Sequence, residues 1–112
     1  MLIDFDTSDW KEIPHMNGGE GIVFAKMVMT ESTRIILTKI PPGSSIGKHL
    51  QSSGDDVNYV LDGKGKAICD GKEEILSPSV CHVCPKGSEH SIVNDSDTDL
   101  ILFTTVPMSC SP

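Results

Sequence analysis

Two histidines, a glutamine and an aspartate carry the chemistry this sequence offers. His49 and Gln51 stand two residues apart after the turn Pro41-Pro42-Gly43, and Asp56 follows the polar loop Ser52-Ser53-Gly54. On an extended strand, residues i and i+2 share a face, so His49 and Gln51 are expected to point the same way. Asp56, across the loop, can turn its carboxylate toward them. His90 enters from a second turn, Pro85-Lys86-Gly87, at the head of another short run. Imidazole nitrogen, amide oxygen and carboxylate meeting from adjacent strands are what a divalent transition metal requires. A histidine near an aspartate is also commonplace on protein surfaces, so the elements that position these residues decide the matter.

Those elements read as strands. Residues 21–28 and 33–40 are β-branched and apolar, and Pro41-Pro42 ends the second because proline cannot donate to a ladder. Residues 57–61 form a third run, Val-Asn-Tyr-Val-Leu, in which Asn58 shares a face with Asp56 while Tyr59 faces outward. Asp70-Gly71, between 66–69 and 72–76, is the strongest hairpin signal in the chain. Further strands are expected at 80–84, 90–94 and 100–106, with His90, Ile92 and Asn94 on one face. Asn94, where its strand ends, is placed to cap the following turn with its side chain. No apolar pattern of helical period persists, and turn signals recur throughout, which is the mark of an all-β sandwich or barrel.

With 112 residues the chain is expected to be one domain with one modest core. Its boundaries read as an N-terminal arm over 1–20, a barrel over 21–107 and a tail over 108–112. The net charge of −7, with only nine scattered Lys and Arg, argues against nucleic acid or an anionic membrane surface as partner. No apolar run is long enough to span a bilayer, and the acidic start lacks a basic-then-apolar leader, so the expected home is the cytoplasm. The four cysteines are then expected as reduced thiols. Cys81 and Cys84 form a C-x-x-C, but on a strand these two positions face opposite sides, so structural thiols fit better than zinc or redox chemistry.

Taken together, the two turn–histidine stretches resemble the motifs of the cupin superfamily. The first motif, G-(x)5-H-x-H-(x)3,4-E-(x)6-G, is matched in spacing by Gly43, His49, Gln51, Asp56 and Gly63. The second, G-(x)5-P-x-G-(x)2-H-(x)3-N, is matched by Ser79, Pro85, Gly87, His90 and Asn94. The resemblance covers residues 43–94 and implies a small antiparallel β-barrel of the jelly-roll, double-stranded β-helix type. Carried over by position, its metal ligands are His49, Gln51, Asp56 and His90.

Three departures from the pattern matter. Ser79 replaces a glycine, Gln51 replaces the second histidine, and Asp56 replaces the glutamate. Asp is shorter than Glu by about 1.5 Å, so either the backbone comes closer or Asp56 reaches the ion through water. Asp55 is the alternative if a bulge shifts the strand. What is left, two imidazoles and one carboxylate with a weak amide, suits Fe(II), and also Mn, Ni, Co or Zn.

The resemblance further implies a small-molecule ligand and a homodimer. It permits a metal-dependent enzyme on a small polar or anionic metabolite, with dioxygenase, decarboxylase, isomerase and lyase chemistry all open. The alternative is a non-catalytic small-molecule or sugar-binding module using the same cavity, with or without metal. Asn58 is a candidate for orienting a ligand, or else a satisfied core amide. His82 is a spare ligand or proton carrier if its strand turns it inward, or a surface histidine if not. His15 reads as surface, and Trp10 as covering either the barrel mouth or a subunit partner.

Overall fold

Side chains alternate between two faces along each apolar run, and pairing the runs fixes which face is inward. In the computed structural model, which describes residues 1–108, ten strands follow one another: β1 Lys11–Pro14, β2 Ile22–Met29, β3 Thr33–Ile40, β4 Ser45–Leu50, β5 Asp56–Asp62, β6 Gly65–Cys69, β7 Lys72–Leu76, β8 Cys81–Cys84, β9 Glu89–Val93 and β10 Leu100–Pro107. They build two antiparallel sheets, β1-β2-β3-β10-β5-β8 and β4-β9-β6-β7. The result is the all-β jelly roll that the sequence led us to expect. Apart from Met108, the expected tail, with Cys110, lies outside the described residues.

The interior is layered along the strands. Val23, Ile40, Val60, Ala67, Leu76, Leu100 and Leu102 close one end as an apolar core. One register step further along β10, Thr104 faces Asn58 of β5 and Ile36 of β3, and Asn58 in turn faces His82 of β8. This polar layer lies between these residues and a cavity of about 700 Å³ at the other end, whose wall carries the remaining core residues Ile46 and Ile92. The hairpin at Asp70-Gly71 forms as expected, with φ of 49° and 80°, the left-handed pair that a tight two-residue turn needs. Asn94 is fully buried, and its side-chain amide donates to the Ile40 and Thr98 carbonyls at 2.7 Å each while its oxygen accepts from the Ser96 amide.

The first twenty residues do more than lie over the barrel. β1 adds an edge strand to β2, and the second of two short 3-10 turns, Met16–Gly18, sits against β4. Trp10 stays away from the cavity; its ring lies 4.7 Å from the ammonium groups of both Lys26 and Lys39. Ile13, Met16 and Asn17 reach the cavity wall instead. The contact between arm and β4 is backbone on backbone. A Cβ on Gly47 would collide with the Asn17 carbonyl oxygen and lie 2.6 Å from the Gly19 nitrogen, and one on Gly19 would collide with the Ser45 carbonyl. The pairing of β4 with β9 shifts register between Ile46 and His49, so β4 departs from its neighbour where the arm presses in.

At Ser79, where the family motif has glycine, φ is +76°. The left-handed conformation costs a residue with a side chain about 1–2 kcal/mol. Backbone hydrogen bonds on either side, Ser79 N–H to Val60 at 3.0 Å and Val60 N–H to Val80 at 2.9 Å, hold the turn in place.

Candidate metal centre

The cavity end of three strands brings together His49 of β4, Asp56 of β5 and His90 of β9. One ligand atom from each lies within 4.8 Å of the others. His49 and His90 are direct partners across the β4–β9 ladder, and their Nε2 atoms are 3.2 Å apart. Asp56 enters from the opposite sheet, its Oδ2 lying 3.1 Å from His90 Nε2. The shorter side chain therefore reaches the cluster. Asp55 does not; it is exposed and accepts a hydrogen bond from the Lys86 amide at 2.9 Å, tying the loop before β5 to the turn before β9.

Each histidine is braced on its far side. His49 Nδ1 lies 2.8 Å from the Gly47 carbonyl, so it donates there and turns Nε2, as a lone pair, toward the cluster. The side chain of Asn17, from the arm, lies 3.3 Å from the same Nδ1. His90 is held at the head of β9, where the preceding Glu89 amide donates to Asp70 Oδ1 at 3.0 Å. That bond, followed by one from Ser88, holds the Asp70 carboxyl below its ordinary value.

Gln51 lies just past the end of β4, buried on the cavity wall. Its amide nitrogen donates to the Gly54 carbonyl at 2.8 Å, which frees the amide oxygen for another partner. Asn58 is buried beside it, with Oδ1 accepting from Thr104 Oγ1 at 2.7 Å and Nδ2 3.4 Å from the Asp56 carbonyl. It braces the backbone of Asp56. His82 does turn inward and is 1% exposed, but it stands behind His90 rather than on the cavity wall: its Nε2 lies 2.9 Å from His90 Nδ1. On its other side His82 meets Glu74 of β7, one of two adjacent glutamates with no motif around them to mark it.

A cation fits this donor set. Asp56 Oδ1 is buried without a hydrogen-bond partner, and an unpaired buried carboxylate oxygen costs several kcal/mol unless something positive meets it. Two imidazole nitrogens and a carboxylate form an N/O set of the kind that Mn, Fe, Co, Ni and Zn accept. The thiols do not compete. Cys69 stands opposite His90, and Cys84 opposite Asp56, in the strand registers. Burial, then the neighbouring Cys69, pushes the Cys84 thiol up to about 12, and burial raises Cys69 as well. Neither thiol is among the ligand atoms that meet at the cluster. Cys81 is exposed on the opposite face from Cys84, as strand parity requires.

Comparison with known proteins follows the same lines. Residues 36–106 match the model of the cupin domain family. The chain is 35% identical over 103 residues to the oxalate-binding protein of Thermotoga maritima, spanning 86% of this chain and 84% of that protein. The crystal structure of a predicted oxalate decarboxylase from Thermotoga maritima superposes with a TM-score of 0.91 at 25% identity, covering 97% of this chain and all of that one (100%). An RmlC-like cupin from Shewanella frigidimarina shares the fold at a TM-score of 0.81 and 16% identity, over 96% of this chain and 90% of that one. Among the described residues no helix is long and apolar enough to cross a membrane. With both motifs meeting at one cluster inside a jelly roll, and the family model spanning most of the strands, the chain belongs to the cupin family.

Proposed function

We propose that the protein binds one divalent transition metal through His49, Asp56 and His90, with the Gln51 amide oxygen as a weaker fourth ligand, and that this site captures a small carboxylate of the oxalate class. The observation that carries the reading is the convergence of two imidazole nitrogens with a carboxylate whose second oxygen is buried and unpaired. A metal bound there supplies Lewis acidity toward carboxylate oxygens. The chain itself does the rest. Lys11 and Arg34 line the cavity and favour an anion within a protein that is acidic overall. Ile13, Met16 and Ile46 exclude water from one wall. The cavity, at about 700 Å³, has room beyond a two-carbon dicarboxylate, so longer dicarboxylates and 2-oxo acids fall within the class.

Calorimetry with oxalate tests this. Heat of binding is expected with Mn(II)-loaded protein and none with metal-free protein, and acetate, which cannot chelate, should bind distinctly more weakly. Equal binding with and without metal would remove the metal's role, and no binding in either form would remove the ligand class.

Turnover is the second reading. A set of two His and one carboxylate leaves coordination positions open for substrate, as in non-haem iron oxygenases. Binding leads because, among the described residues, the cavity wall carries only one carboxylate besides Asp56, namely Asp9, so no spare acid stands beside the cluster to deliver a proton. Formate and CO₂ released from oxalate by the loaded protein, and lost in Asp56→Asn, would reverse that order.

A homodimer and a cytoplasmic home belong to the same proposal. The face of the larger sheet turned away from the cavity carries Leu37, Phe103 and Tyr59 side by side in register, flanked by Leu61 and Val83, which are 48% and 42% exposed. A second copy of the chain would cover this patch. Sedimentation should return twice the chain mass; the mass of one chain would refute it.

A further inference from the structure

Behind the cluster runs a chain of hydrogen bonds that the proposed chemistry does not use. His82 Nδ1 lies 2.7 Å from Glu74 Oε1, and His82 Nε2 lies 2.9 Å from His90 Nδ1. The two imidazoles stack, with centroids 5.2 Å apart and planes inclined by 29°. The His82 side chain is fully buried, whereas that of Glu74 is 46% exposed at the outer end.

The direction of these bonds follows from elementary rules. A carboxylate oxygen only accepts, so the hydrogen of the first bond sits on His82 Nδ1. With both imidazoles neutral, each carries one N–H, so His82 Nε2 is a lone pair and accepts from His90 Nδ1–H. His90 Nε2 is then also a lone pair, aimed at Asp56 Oδ2 at 3.1 Å and His49 Nε2 at 3.2 Å. Those two are acceptors as well, because His49 has spent its N–H on the Gly47 carbonyl. Three electron pairs thus face one point with no hydrogen among them. The opposite tautomer of His90 would donate Nε2–H to Asp56 and close the cluster on itself.

We infer that Glu74 and His82 are positioning residues, which hold His90 in the tautomer that offers Nε2 to a cation and forbid the one that bonds to Asp56. The inference deepens the metal reading and rests on it for its purpose, but the tautomer itself can be read without metal. An outer partner of this kind, fixing the orientation and basicity of a ligating histidine, is commonly worth about 10–100-fold in metal affinity. Glu74 makes the chain unusual in reaching the surface of the smaller sheet, where substitution leaves the core intact.

Long-range ¹H–¹⁵N correlation of the imidazoles in metal-free protein, run beside Mn(II) titrations, tests it. Wild type should show Nδ1–H on both His82 and His90. Glu74→Ala and His82→Leu should move His90 toward Nε2–H and weaken Mn(II) binding about 10–100-fold. Glu74→Gln, whose amide oxygen still accepts, should retain the tautomer and most of the affinity. Should His82→Leu fail to fold, Glu74→Ala at the exposed end decides alone. His90 found as Nε2–H in wild type, or unmoved by Glu74→Ala, would overturn the inference. The expected tautomers with no Mn(II) bound by wild type would support the positioning role and overturn the metal reading instead.

Discussion

His90→Ala should purify without metal, whereas the wild-type protein prepared without chelator is expected to carry close to one Fe, Mn, Co, Ni or Zn per chain. His90 is central to the cluster, its Nε2 lying 3.1 Å from Asp56 and 3.2 Å from His49. Removing a hydrogen-bond partner of a ligand already costs about 10–100-fold, so removing the ligand should cost more than the upper end of that range. Asp56→Asn should fall in the same class, since it deletes the only negative charge among the ligands while keeping the shape. Elemental analysis of the three proteins side by side, before and after incubation with excess Mn(II), is the measurement. Wild-type protein that stays metal-free under both conditions would leave a polar pocket with no ion.

The second large effect is expected at Gly47, which is not itself a ligand. The arm residues Asn17 and Gly19 lie so close to Gly47 that no Cβ fits between the two backbones. Gly47→Ala must push the arm outward or bend β4, and overpacking of this kind costs about 1–3 kcal/mol. It should act on function as well, because the carbonyl of the same residue accepts the His49 Nδ1–H bond at 2.8 Å and Asn17 lies beside that nitrogen. Urea melts and Mn(II) titration of Gly47→Ala should therefore both worsen, while Gly18→Ala, with open space around it, should leave metal affinity unchanged apart from the strain of its positive φ. A neutral Gly47→Ala in both measurements would mean that the arm is loosely held and does not brace His49.

Much of this molecule was legible in the sequence because its signals are local. Turn residues such as Asp70-Gly71 fix hairpins by backbone preference alone, and the spacing of His49, Asp56 and His90 within the two motifs survives the substitutions around them. The illegible parts depend on contacts between distant backbones. Nothing near Gly47 announces that Asn17 will lie on it, since Gly in a strand signals close approach without naming the partner. The direction of His82 was hidden because Cys81-His82-Val83-Cys84 shows no alternation of polarity from which to choose a face. Glu74 was hidden more deeply. It sits in Lys72-Glu73-Glu74-Ile75-Leu76, an edge strand with charges in succession, where one carboxylate looks like another until the sheet sets Glu74 beside His82. The arm was underestimated for a similar reason: β1 is short and carries one apolar side chain between charged ones and a proline, so only its pairing with β2 makes it a strand.

The place of β10 has a consequence for how the chain is made. Among the described residues it is the last strand, yet it lies in the middle of the larger sheet, hydrogen-bonded to β3 on one side and β5 on the other. At about 5–20 residues per second, a ribosome that has finished β3 takes several seconds to deliver the strand that β3 must pair with. During that interval the edges of β3 and β5 stand open, both rich in Ile, Val and Leu, and such edges recruit other chains. A nascent chain of this protein is therefore most exposed to aggregation just before β10 is made, and loss of that strand would leave two unpaired edges at the centre of the sheet rather than a frayed margin.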